Sequence, residues 1–119
     1  MHVSIYSSQT PRMPNPLIAK EQIPLELFKA GDVLHRNEQK EERKVQLQKA
    51  FELNRSSYSK ARIVFETIIE TLEVIDHVWE LTDTNVLLKG GITIPISCIR
   101  EVTVVGTRIP TGSVASNSI

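Results

Sequence analysis

The sequence predicts an α+β fold, with an N-terminal helix or helices followed by a small antiparallel sheet or partly open barrel of roughly four or five strands. Three stretches carry that expectation. Residues 35–56 contain neither Gly nor Pro and become amphipathic toward their end. Nine of the 18 residues from Arg62 to Trp79 are Ile, Val or Thr, types whose branched side chains suit a pleated strand. Gly90-Gly91 then separates two apolar runs, as a hairpin requires.

Taken in order, residues 1–16 mix Ser, Pro and Asn without periodicity and read as a flexible N-terminal arm. A single α+β domain is expected over 17–105. Its first element is a short helix in 24-PLELFKAG-31, because Pro24 suits a first helical position and Gly31 a C-terminal cap. Asp32 would cap a second, longer helix running to about Ser56. The first part of that helix, 35-HRNEQKEERK-44, is polar throughout, and the rest turns Leu47, Ala50, Phe51 and Leu53 to one side. A helix polar all round at one end is expected to project from its domain.

Residues 61–82 admit two readings. As a helix, Ala61, Phe65, Ile68, Leu72, Ile75 and Trp79 form a stripe at spacings of three and four. As strands, Ala61, Ile63 and Phe65 alternate inward, while Ile75, His77, Trp79 and Leu81 lie opposite Leu72, Val74 and Val78. The β-branched enrichment favours strands, although the turn they need near residues 69–71 contains no usual turn former. A long helix over 60–82 with a small β-appendage is the alternative architecture.

Beyond this segment, Asp83-Thr84-Asn85 marks a turn, and Gly90-Gly91 would fill both central positions of a type I′ hairpin turn. Ile92, Ile94 and Ile96 share a face, and Pro95 belongs at an edge, a bulge or a strand end. Ile99, Val102 and Val104-Val105 supply the last strand. The Gly-, Ser- and Thr-rich residues 106–119 read as a disordered tail.

Composition narrows the function classes. Fourteen basic and 14 acidic residues balance to zero, which argues against a dedicated polyanion binder. The balance is uneven along the chain: residues 1–60 carry ten Lys/Arg against seven Asp/Glu, and residues 61–119 four against seven. The only cysteine, Cys98, forms no zinc pattern with His2, His35 and His77 and is expected to be a small buried hydrophobe. No apolar run approaches the ~20 residues of a membrane span. The first residues lack the basic and apolar regions of a secretory signal, so a cytoplasmic location is expected.

The pattern W-x-L-T-D-x-N-V-L-L-K-G-G-x-x-I-P-I-x-x-I, starting at Trp79, resembles the middle strands of small SH3-like and Sm-like barrels. It is similar also to a group of small bacterial proteins in which a helix precedes a compact antiparallel sheet. The resemblance spans about residues 60–105 and implies strands over 61–82, but no known activity. In Sm-like rings, RNA is held by stacking side chains and basic or amide groups in the loops beside the later strands. Here the matching loop, Lys89-Gly90-Gly91, has one Lys and no aromatic neighbour in sequence, so RNA binding there is not expected.

No chemistry-bearing constellation emerges. Asp76 and His77 would point to opposite faces of a strand, and no serine or cysteine motif accompanies them, so His77 reads as a partly exposed, structurally neutral histidine. Gly90-Gly91 precedes a strand and not a helix, which removes a phosphate loop. No catalytic residue, cofactor or metal is therefore expected. Trp79 is read first as core packing and second as an interface anchor.

The chain is expected to be a non-enzymatic interaction module, self-associating or binding a protein partner, with the edge strand Ile99–Val105 open to pairing with a second copy. The alternative is a weak nucleic-acid-associated regulator that uses the basic residues of the helix. The partner-contact candidates are Arg36, Lys40, Arg43, Lys44 and Trp79.

Overall fold

The computed structural model describes residues 15–105, so the expected flexible arm over 1–16 lies outside the described residues except at Asn15 and Pro16, and the expected disordered tail over 106–119 lies wholly outside them. One long helix, α1 (Asn37–Ser57), precedes six strands: β1 (Lys60–Glu66), β2 (Thr71–Asp76), β3 (Val78–Leu81), β4 (Asn85–Leu88), β5 (Thr93–Pro95) and β6 (Ile99–Val105). The strands form two antiparallel three-stranded sheets, ordered β2-β1-β6 and β3-β4-β5, that do not close into a barrel. The α+β class is as expected, with six strands in place of four or five. Residues 61–82 are strands, not helix.

Ala61, Ile63 and Phe65 of β1 are all buried, as their alternation predicts. The unpromising turn after β1 is built by a side chain. Thr67 Oγ1 donates to the Glu70 carbonyl (2.9 Å) and accepts the Ile69 and Glu70 N–H groups at 3.2 and 3.0 Å. A threonine hydroxyl thus supplies the turn that Gly, Asn or Pro would ordinarily mark.

The chain passes from the first sheet to the second at His77, where the Asp76 carboxylate accepts the His77 N–H (2.6 Å). The expected alternation of Leu72, Val74 and Val78 against Ile75 and Trp79 holds, and His77 and the half-buried Leu81 depart from it. Val78 and His77 are both buried, whereas Ile75 and Trp79 are exposed. The expectations of a buried Trp79 and a partly exposed His77 are both corrected.

The β4–β5 hairpin departs from type I′. Gly91 N–H donates to the Leu88 carbonyl (3.0 Å), which makes Lys89 and Gly90 the central pair. Gly90 lies at φ 96° and Lys89 outside the left-handed region, the pattern of a type II turn, and Gly91 (φ 93°) follows it. The bond from Leu88 N–H to the Ile92 carbonyl (2.7 Å) fixes this register. Pro95 ends β5, an edge strand, where its missing N–H costs no ladder bond.

The short helix expected in 24–31 does not form. Its backbone instead serves the β1–β2 hairpin: the Leu27 carbonyl accepts Ile68 N–H (2.8 Å), and Phe28 bridges to Thr67. Phe28 packs edge-on against Phe65, with centroids 6.1 Å apart, so burying an aromatic outweighs local helix signals. Pro16 is likewise tied down, its carbonyl accepting Glu73 N–H (2.9 Å).

Helix α1 starts four residues later than an Asp32 cap would place it, with Arg36 as N-cap. Asp32 is engaged by Arg43, whose Nη1 and Nη2 donate to Oδ1 and Oδ2 at 3.0 and 2.8 Å, while Leu34 N–H also donates to Oδ1 (2.8 Å). The polar half of the helix therefore does not project. Its buried residues, Arg43, Leu47, Ala50 and Asn54, form one stripe at spacings of four, three and four that packs on β6 and β3.

Both sheets bury one face in a common core of Phe65, Leu47, Ile63, Val86, Leu88 and Ile94, among others. Cys98 is buried as expected; burial raises its thiol pKa above the ordinary value, and its Sγ donates to the Lys29 carbonyl.

Ion pairs at Asp32 and Glu66 tie the N-terminal segment to the helix and the sheet. Arg43 hydrogen-bonds Asp32 and holds its carboxyl below the ordinary 3.8. At Glu66 burial is the largest single influence and raises the pKa, but hydrogen bonds from Lys29 (3.0 Å) and Arg100 together bring it below the ordinary 4.5. Stability from a depressed carboxyl is complete above its unfolded value and lost as pH falls through the lower folded value. Urea-unfolding free energy should therefore be level near neutrality and decline below about pH 4.5. Asp32→Asn with Glu66→Gln should lower the neutral plateau and shrink that decline; an equally steep decline in the double variant would remove these clamps as its cause.

Candidate interaction surface

The C-terminal end of α1 and the start of β3 converge on a group of aromatic and basic side chains. Phe51, Arg55 and Tyr58 follow one another at spacings of four and three along the helical side that faces β3. Tyr58 closes the helix in the left-handed region (φ 56°, ψ 38°), its N–H donating to the Asn54 carbonyl (2.9 Å). A glycine usually takes that position, and a side chain there costs roughly 1–2 kcal/mol.

The tyrosine is held by what its ring touches. It stacks on the buried His77 ring, with centroids 3.9 Å apart at 24°, and its hydroxyl accepts a hydrogen bond from Lys89 Nζ. His77 is fixed in turn. Its Nδ1 contacts Asn54 Oδ1 (2.9 Å) and the Ser59 carbonyl (3.3 Å); a carbonyl can only accept, so Nδ1 carries the proton.

Lys89 ties the cluster across the sheet. Its Nζ lies 5.1 Å from the Tyr58 ring centroid and 5.7 Å from that of Trp79, within cation–π range of both. Arg55 sits similarly over Phe51, at 5.7 Å. Trp79 is 47% exposed and Tyr58 53%. Phe51, Asn54, Arg55, Tyr58, Trp79 and Glu80 line a groove of about 470 Å³. The Lys89-Gly90-Gly91 loop, which has no aromatic neighbour in sequence, thus acquires two in space; the expectation that nothing stacks beside it is corrected.

The sequence-predicted contacts divide. Trp79 belongs to this surface. Lys40 and Lys44 lie further back along the same helix–β3 seam, beside Leu81 and Asp83 in a second groove of about 390 Å³. Arg36 is exposed at the helix start, 3.8 Å from Glu38. Arg43 is overturned as a partner contact: its side chain is 7% exposed, bound to Asp32 and to the Ile99 carbonyl (2.9 Å). Its place in the buried stripe of α1 explains the difference, since that stripe must cross the sheet wherever it leads.

Sequence reasoning does not reach Tyr58, and it counts Arg55 only among the basic residues of the helix, Phe51 only on its apolar side and Lys89 only as the single cation of a turn. The helical spacing of Phe51, Arg55 and Tyr58 was readable, but Lys89 enters only through the sheet register that brings β4 beside β3.

Among the described residues, no group of three or more His, Cys, Asp and Glu side chains is placed to hold a metal ion, and no helix is long and apolar enough to cross a membrane. No protein-family model, curated protein or solved structure matches the chain.

Proposed function

We propose that this chain is a non-catalytic interaction module that holds a macromolecular partner on the Tyr58–Trp79–Lys89 face. The observation that carries the reading is the pair of half-exposed aromatic rings with one lysine set against both, above an open groove. Exposed tryptophan and tyrosine beside a cation are the residue types that dominate binding energy at interfaces. The side chains most suggestive of catalysis are engaged elsewhere. His77 is buried under Tyr58 and tied to Asn54, the Asp76 carboxylate meets Lys20 (3.0 Å) and its own following N–H, and Cys98 is buried with a raised pKa.

Self-association along β6 receives less support. β6 does lie at a sheet edge, but the adjacent Ser97 carbonyl takes Val33 N–H (2.9 Å) and the Ile99 carbonyl takes Arg43. A regulator reading nucleic acid along the helix 35–56 loses Arg43 from its proposed contacts.

A photo-crosslinking residue placed at Arg55, compared with one at the exposed Glu26, tests the face without naming its partner. Adducts formed in cells should concentrate at position 55. Equal yields at the two positions, or none at 55, would sink the reading.

A further inference from the structure

We infer that the occupant of this groove is a single-stranded nucleic acid, with a base stacked against Trp79 and phosphates held by Lys89 and Arg55. The inference rests on the face being a binding surface, and it names the chemistry of what binds.

The first ground is how the cations are used. Six basic side chains, Lys20, Lys29, Arg36, Arg43, Arg62 and Arg100, are paired with carboxylates. Among the described residues, six further cations make no such pair, and of these only Lys89 and Arg55 rest on aromatic rings. Their charge is therefore not cancelled by a carboxylate and stands beside π-faces. An anionic chain with flat, apolar rings at short intervals satisfies both features at once, and sequence-independent single-strand sites combine the same two elements.

The second ground is continuity. Lys44 lies 11 residues before Arg55, close to three full turns, so it shares that side of α1 roughly 16 Å away, with Lys40 one turn further. Both line the seam between α1 and β3. A strand anchored at Trp79 can follow this seam and meet further cations.

The acids on the path set limits. Glu80 lines the aromatic groove, and Glu41 and Asp83 lie beside Lys40 and Lys44. Binding is accordingly weak, with few phosphates neutralised. A proline-rich peptide also suits an aromatic groove, but it supplies no anion for Lys89 and Arg55.

Trp79 is the only tryptophan in the chain, so its fluorescence reports on the groove directly. The full chain is titrated with oligothymidylate of about 12 nucleotides, within the usual site size of small β-domains. Trp79 emission should be quenched, and log affinity should fall with log salt at a slope of about −1.4, two phosphates at ~0.7 each. Lys89→Ala and Arg55→Ala should each reduce that slope by about 0.7. Trp79→Ala, followed by anisotropy of a labelled oligonucleotide, should lose at least about fivefold in affinity, the lower end for one stacked base.

Thermal unfolding of each variant identifies any that fails to fold, and Arg55→Ala leaves the His77–Tyr58 stack untouched. Absence of quenching at low salt, or binding indifferent to both cation variants, overturns the inference. If oligonucleotides fail while crosslinks at position 55 capture protein, the nucleic-acid inference falls and the binding face stands. If position 55 captures nothing, both fall.

Discussion

Arg43→Ala is expected to destabilise the fold by about 3–4 kcal/mol, the cost of breaking a buried ion pair from one side. Arg43 joins three parts of the chain through one guanidinium: the loop at Asp32, α1 itself, and β6 through the Ile99 carbonyl. The bidentate fork to Asp32 is the geometry in which arginine and carboxylate interact most strongly. Removing the guanidinium strands the Asp32 carboxylate with Leu34 N–H alone and leaves a cavity between helix and sheet. Against a total stability of roughly 5–15 kcal/mol, that loss leaves a small domain close to unfolding. Urea denaturation measures it. The double variant Arg43→Met with Asp32→Asn should recover much of the loss, because an apolar side chain fills the space without an orphaned charge. A single-variant loss below about 1 kcal/mol would show that the clamp is solvated and of surface strength.

Phe65→Ala should cost about 3–5 kcal/mol, as large core truncations do. Phe65 is 0% exposed and stands in the central strand of its sheet, opposite Leu72 on β2 and Ile99 on β6. Its ring also receives the edge of Phe28, the contact that holds residues 24–29 onto the hairpin in place of a helix. The variant should therefore loosen this segment beyond the general loss of stability. Hydrogen exchange at Ile68, whose N–H donates to the Leu27 carbonyl, should rise more steeply than at Val86 in the second sheet. Phe65→Leu should cost less than half as much, and a Phe28→Leu, Phe65→Leu cycle should show coupling near 1 kcal/mol. Uniform exchange across both sheets would place the contact outside the cause.

Local chemistry was sufficient for much of the fold. The branched residues of 61–82 identify strands, the inward set Ala61, Ile63 and Phe65 is correct, and Pro95 sits at a strand end. In each case a side chain's own shape, or a missing N–H, limits what the backbone can do. The errors share a different origin. Pro24 and Gly31 bracket a segment that forms no helix because Phe28 finds a ring to pack on. Asp32 caps no helix because Arg43 takes its carboxylate. Thr67 builds a turn that its residue type only weakly announces.

The interaction surface divides in the same way. By itself the sequence determined the class of fold, the strands and helix that build it, and the lone tryptophan among the candidate contacts. Only the tertiary structure decided that Trp79 faces outward, that Arg43 turns inward, and that Lys89 meets Tyr58. The cause lies in how elements meet. Val78 stays inward with Leu72 and Val74, which leaves Trp79 outward with Ile75, and the register shift between Val78 and Glu80 then turns Leu81 toward Val86. A helix ending at Tyr58 then lies beside a turn at Lys89, 31 residues later in the chain. Periodicity describes a single uninterrupted element, and the face arises where three elements meet.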